Sequence, residues 1–354
     1  MSLPVYATRE QVKDALDLKD TARANRRIDD AITAASRDVD RLCHRIFWPQ
    51  TGSRTFDWPH PTQATPWLIW LSEGVGDPPM PDLATLTGLT SGGAAIPTTA
   101  ALLRPDDGPP YTRLEIDTST AYSLGGGATW QRDITATGVW AYSLDSAAAG
   151  ALAEALDATE TAVDVTDSAT VGVGDLLQAG TERMLVTGKT MADTTRTVAG
   201  AGLAASTAGQ TLTVSGGTWF AGETLLVEAE RLLVDDVAAT TLVVRRGWDG
   251  TTVAAHASGA AIYAPRTLTV VRAAAGTTAA THLTGATLTR HLPPALVNQY
   301  IVAHALDALA QQASGYARTV GSGDNARPAS GRALSDLRDR VYAAHGRKAR
   351  IGAI

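Results

Sequence analysis

Cysteine, phenylalanine and charge are all scarce in this 354-residue chain, which has one Cys, three Phe and only 19% Asp, Glu, Lys and Arg. A single cysteine, Cys43, excludes an intrachain disulfide framework; its helix-like surroundings predict a buried, inert thiol. Low charge with a mean hydropathy near zero argues against disorder and for folded domains. The net charge of -6 gives no general attraction to nucleic acid or to an anionic membrane. No apolar run reaches the length of a bilayer span, and Arg9, Glu10 and Lys13 interrupt any signal-like stretch. The expectation is a soluble protein made in a cytoplasm.

Catalytic signatures are missing too. No Gly-x-Gly-x-x-Gly turn joins a strand to a helix, no phosphate loop ends in Gly-Lys-Ser/Thr, and no Gly-x-Ser-x-Gly elbow occurs. Gly125, Gly126 and Gly127 precede Trp130 with no helix behind them, so they read as a turn. Cys43 and His44 are neighbours on a helix and face different directions. We expect no catalytic residue, no metal site and no cofactor.

What the chain does contain is duplication. Leu242–Ile262 is restated at Leu268–Leu288 with a constant offset of 26, sharing ten of 21 positions in the frame R-x3-G-T-T-x-A-x-H-x2-G-A. The frame carries Arg246, Gly250, Thr251, Thr252 and His256, then Arg272, Gly276, Thr277, Thr278 and His282. A looser copy, at an offset of 48, matches Gly174–Leu177 and Glu182–Val186 to Gly222–Leu225 and Glu230–Val234. An enzyme rarely needs two copies of a strand-loop-strand unit, whereas a modular structural protein often does. The paired histidines read as groups satisfied by backbone within a turn, and Glu182 and Glu230 as loop-stabilising acceptors. The second copy loses Gly247, Trp248 and Asp249, so surface recognition is expected around Trp248 and Asp249, with Trp219 as a further candidate.

Patterning divides the chain into three parts. Thr8 with Gln11 predicts a capping box and a short helix. A helix of about 25 residues follows from Thr21, with Ile28, Ile32, Ala35 and Val39 on one face. Strands are predicted at 54–58, 67–71, 83–89 and 111–116, and Thr129–Tyr142 reads as a hairpin closed near Gly138. From 146 to 291 short strands alternate with glycine turns, which predicts an all-β barrel or sandwich. Helices return at about 295–313 and 330–344. The predicted fold is α+β: a helical region with a small β-hairpin (1–145), an inserted β domain with internal repeats (146–291), and C-terminal helices with a basic tail (292–354). That tail, with Arg338, Arg340, Arg347, Lys348 and Arg350 around Tyr342, suits an acidic groove on a protein partner better than DNA.

The order of these parts resembles the head-to-tail connector, or adaptor, proteins of long-tailed bacteriophages. The resemblance rests on His44–Phe47 leading into TGSRTF (51–56), on ITATGVWAY (134–142), and on the helix after Pro293 and Pro294 (PPALVNQYIVAHALDALAQ). Ala141 stands where that family usually has Gly, and the β insertion is far larger than usual. The resemblance implies a virion protein assembled as a ring of twelve copies below the portal. That ring would join the portal to a stopper or tail-terminator protein, with the capsid protein as a further neighbour. Double-stranded DNA would pass through without specific binding, and no membrane is involved. It also implies portal docking by Arg338, Arg340, Tyr342, Arg347, Lys348, Arg350, Ile351 and Ile354. Asp29, Asp30, Asp38 and Asp40 would then line a non-sticky DNA channel. The alternative is a carbohydrate-binding or tail/baseplate surface protein using Trp140, Trp219 and Trp248 as an aromatic platform.

Overall fold

Thr8 N–H donates to Gln11 Oε1 at 2.9 Å and Gln11 N–H donates to Thr8 Oγ1 at 3.2 Å, so the capping box forms and starts helix α1 (Arg9–Leu16). The computed structural model describes residues 3–16, 25–59, 65–71, 82–207, 210–313, 319–320, 327–328 and 332–347. Helix α2 (Asn25–Cys43) buries Ile28, Ala31, Ile32, Ala35, Val39 and Cys43, the stripe predicted from the 3.6-residue period. Residues 17–24, where the sequence pattern starts this helix, lie outside the described residues.

Helices α3 (Ala295–Ala313) and α4 (Arg332–His345) come from the other end of the chain and share the same core. Val12, Ile28, Ile32 and Val39 pack with Val297, Ile301, Ala305 and Val341 in one apolar cluster. Each fully buried Val or Ile there contributes roughly 1.5–3 kcal/mol. Asn298 secures the seam by donating to the Tyr6 carbonyl at 2.7 Å and to Gln11 Oε1 at 3.0 Å.

Beside the helices lies a four-stranded antiparallel sheet. It is ordered β1 (Gln50–Phe56), β7 (Ile134–Trp140), β3 (Leu83–Ser91) and β4 (Ala94–Ile96). A three-stranded sheet of β2 (Leu68–Trp70), β6 (Arg113–Ile116) and β5 (Ala101–Arg104) shares its core. The predicted hairpin at Thr129–Tyr142 is not there. Residues 134–140 form one central strand, and Gly138 sits within it, opposite Gly52 on one side and Leu86 on the other. A Cβ at Gly138 would lie 1.9 Å from the Thr85 carbonyl oxygen, so glycine marks a close backbone approach at a bulge rather than a turn.

The central region is all-β. Its strands are β8 (Ser146–Ala151), β9 (Ala162–Asp164), β10 (Leu176–Ala179), β11 (Glu182–Thr197), β12 (Gln210–Thr213), β13 (Thr224–Val227), β14 (Glu230–Ala238), β15 (Thr241–Arg245), β16 (Ala261–Val271) and β17 (Thr287–His291). They pair antiparallel in the order β12-β15-β14-β13-β16-β11-β10-β17-β8, with β9 on β16. No barrel closure is seen among the described residues. Single bridges, Leu152–Val165 and Val198–Val214, draw in the margins of the two halves.

Two cores occupy this sheet region. Leu177, Met184, Val186, Leu268 and Leu288 belong to one; Leu212, Leu225, Leu232, Leu242 and Ile262 belong to the other. Strand β16 contributes to both, with Leu268 in the first and Ile262 in the second, and β11 pairs with it along its length. The duplication is therefore nested: the second lobe, with β12 to β15, is inserted between the two halves of the first.

Candidate functional site

Each lobe holds a fully buried glutamate as the first residue of a strand, Glu182 on β11 and Glu230 on β14. In the first lobe Arg272 grips Glu182 with both arms: Nε donates to Oε1 at 2.7 Å and Nη2 donates to Oε2 at 2.8 Å. The N–H groups of Ala273 and Ala280 donate to the same carboxylate at 3.2 and 3.0 Å, and His282 Nε2 meets Oε2 at 2.9 Å. The second lobe repeats the arrangement. Arg246 Nε and Nη2 each donate to Glu230 at 2.7 Å, Gly247 and Ala254 N–H donate at 2.9 Å, and His256 Nε2 lies at 2.9 Å.

Fork-to-fork pairing of this kind is the strongest geometry available to a carboxylate. Burial alone pushes both glutamates up, yet the arginine and backbone donors outweigh it and hold each at about 2. Each carboxylate thus stays ionised and fully bonded, and clamps the loop between the frame arginine and histidine. The Glu182 and Glu230 reading as loop stabilisers describes this geometry well. The histidine reading needs correction: the rings bond the glutamates rather than backbone groups. His256 also meets Glu228 at 2.8 Å through Nδ1, a contact without counterpart at Gly180 in the first lobe. Among the described residues no group of three or more His, Cys, Asp or Glu is arranged to hold a metal ion.

The two clamped loops share one backbone shape. Gly247, Asp249 and Gly250 have φ of 62°, 55° and 78°; Ala273, Ala275 and Gly276 have 52°, 54° and 75°. Left-handed alanines cost roughly 1–2 kcal/mol each, so something must hold them. Packing does. Ala274 is buried, Ala275 packs on the helical core, and a Cβ at Gly276 would lie 2.1 Å from the Thr51 carbonyl oxygen. Alanines stand where the first copy has Trp and Asp, and this loop is pressed against β1. The first-copy loop docks as well: Asp249 takes Lys13 of α1 at 3.0 Å and also pairs with Arg231. Both loops therefore bind the inserted region to the N-terminal elements.

A cavity of about 530 Å³ opens beside this second contact, lined by Lys13, Lys189, Arg231, Arg245, Trp248 and Asp249. Its charges are largely spent internally. Lys13 and Arg231 share Asp249, Lys189 donates to the Ser168 and Val171 carbonyls, and Arg245 pairs with Asp235 at 2.8 Å while covering Trp248.

The remaining predicted residues are scattered. Trp219 is buried, with its indole donating to the Gly216 carbonyl at 2.9 Å, and Trp140 is buried in the core between the sheets. No common platform of Trp140, Trp219 and Trp248 exists, because two of the three rings are interior. Asp29 is bonded to Arg9, while Asp30 and Asp38 are exposed on α2. Asp40 cannot line a channel. It is buried, hydrogen-bonded by the Tyr6 hydroxyl and beside Arg37 at 3.3 Å, and burial pushes it up to about 6. The Cys43 thiol, likewise buried, is pushed up to about 11, as an inert thiol should be.

Arg338, Arg340 and Tyr342 are exposed on α4. Arg347 is not a free docking arm: its Nη2 donates to Asp82 Oδ1 at 2.7 Å and its N–H to the Cys43 carbonyl at 2.9 Å. Lys348, Arg350, Ile351 and Ile354 lie outside the described residues. The sequence reading missed the pairing of Glu182 with Arg272; the signal was the recurrence of Glu at one offset and Arg at the other. No family model, no curated protein and no solved structure matches this chain.

Proposed function

We propose that this chain is a structural head-to-tail connector of a bacteriophage virion, assembling as a ring below the portal and continuing the DNA channel toward the tail. The observation that carries the reading is the helical layer built from both chain ends, with helix α3 at its centre. One face of α3, with Val297, Ile301 and Ala305, is buried in the core. Val302, Leu306 and Leu309 border that face, packed against the same core but only partly buried. An apolar helix face that extends past its fully buried stripe offers a margin for a neighbouring copy, and heterologous side-to-side contacts close into rings when the rotation is right.

The rest of the geometry supports a scaffold. The buried carboxylates of the twin clamps are consumed by loop fixation, and the clamped loops fasten the insertion to the helices. In this reading the exposed face of α4, with Arg338, Arg340 and Tyr342, meets the portal together with the terminal residues. Exposed Asp30 and Asp38 keep the channel wall from holding DNA. The inserted β region projects outward toward neighbouring virion proteins.

Negative-stain imaging of the chain mixed with the portal of its own virion tests the reading. A ring capping the portal is expected; a chain that neither forms a ring nor associates with the portal would remove it.

A further inference from the structure

Three guanidinium groups and one carboxylate meet where the end of α2, strand β1 and the end of α4 converge. Asp82 is the carboxylate, 2% exposed. Arg347 donates to it at 2.7 Å and Arg45 Nη1 lies 3.6 Å away, with the Arg45 guanidinium also over the Tyr142 ring. Arg54, from β1, is the third cation. Its guanidinium lies 4.6 Å from the centre of the Trp140 ring, and that indole is fixed by donating to the Gly52 carbonyl at 2.9 Å.

Arg54 differs from its two neighbours. It is half-buried, yet its side chain makes no hydrogen bond or ion pair among the described residues. Burial, and then the like charge of Arg347, pull it down to about 10, with Asp82 opposing in part. At neutral pH it remains a cation, and the one nearby carboxylate is already engaged by two other arginines. Unpaired, half-desolvated charge is costly and calls for an anion.

We propose that Arg54, backed by Arg347 and Arg45, is a binding site for a carboxylate side chain of an acidic segment on a partner protein. Stacking on Trp140 covers the face of the guanidinium and leaves its edge donors for a planar acceptor, the geometry that favours a bidentate carboxylate. A nucleic-acid backbone is the poorer fit. It needs several phosphate contacts along a basic stripe, and this is a single focus on a chain of net charge -6. The inference stands on this cluster and is independent of ring assembly.

The test is a titration of the full chain with a hexaglutamate peptide at low salt, followed by calorimetry and by Trp fluorescence. Arg54→Gln gives up the contact with Trp140 but no side-chain hydrogen bond, and it also removes a half-desolvated charge, so the fold should be kept. Its affinity for the peptide should fall about tenfold or more, the loss expected for one charge-assisted bidentate pair. Arg54→Lys, which keeps the charge without the fork, should fall between. Arg27→Gln, an exposed change on α2, should leave binding as it was. The proposal is overturned if the parent shows no saturable binding, or if Arg54→Gln binds the peptide as the parent does. Tighter binding of a short DNA duplex, weakened by Arg54→Gln, would equally overturn it in favour of phosphate.

Discussion

Arg272 grips Glu182 across 90 residues of sequence with the same fork that Arg246 uses to grip Glu230 across 16. The difference in span is the inserted lobe. In the first lobe the whole of the second lobe lies between the two clamp residues, and the chemistry is the same in both.

Removing one partner of a clamp leaves the other buried and unpaired. Glu182→Ala is expected to destabilise the chain by roughly 3–5 kcal/mol, and Glu230→Ala by a similar amount. Urea unfolding followed by far-UV circular dichroism measures this. A change below about 1 kcal/mol, the size typical of a surface ion pair, would show that the clamps do not hold the lobes.

Parts of this arrangement were legible in the sequence. The helices of both ends followed from apolar spacing, and the capping box from Thr8 and Gln11 alone. The strand starts at Glu182 and Glu230 followed from the offset of 48. What failed has a physical reason in each case. Gly138 looked like a turn because the sequence cannot distinguish a glycine needed for φ from one needed for close approach. The length of β11 was hidden because its second half is largely polar and broken by bulges, and that of β16 because Pro265 and Arg266 sit at its centre. The burial of Asp40 and Trp219 depends on partners far along the chain. The Arg54–Asp82–Arg347 cluster likewise joins three segments that no local pattern connects.

The clamps should also set the response to acid. Glu182 and Glu230 are held at about 2 against an ordinary value of 4.5. A depressed carboxylate adds stability that is fully present above pH 4.5 and is lost as the pH falls through about 2. The stability gap between the parent and Glu182→Gln should therefore be constant from neutral pH to about 5 and shrink below it. A gap that persists unchanged to pH 2 would contradict the assignment.

Asp175 should behave in the opposite sense. Its counterpart Glu223 receives the Arg266 fork at 2.8 and 2.9 Å, but Asp175 has the Gly172 N–H at 2.7 Å and Arg290 only at 3.9 Å. Burial therefore pushes it up to about 6. The favourable state is the protonated one, present below pH 3.8 and lost as the pH rises through about 6. Asp175→Asn should stabilise the chain at pH 7, by something of order 1–3 kcal/mol, with no gain near pH 3.5. Thermal melts at the two pH values decide it; equal effects at both would sink the argument.

Loop docking makes a further prediction. Gly276 and Gly285 both have left-handed φ, 75° and 81°, but only at Gly276 would a Cβ collide, with Thr51. Gly285→Ala should cost only the backbone strain, about 1–2 kcal/mol. Gly276→Ala should cost more and should loosen the insertion from β1, seen as faster amide exchange at Arg183, which reaches Thr51 from β11. Equal melting temperatures for the two variants would argue against docking.

The central proposal is that this chain closes into a ring on a portal, with the partly buried margin of α3 meeting the neighbouring copy. Mass photometry of the purified chain, alone and with the portal of its own virion, tests it most directly. The account predicts a discrete high-mass species with the portal, consistent with about twelve copies, that disappears when the exposed Ala310 of α3 is replaced by Glu while the fold is kept. A chain that stays at the mass of one copy in both cases would contradict it.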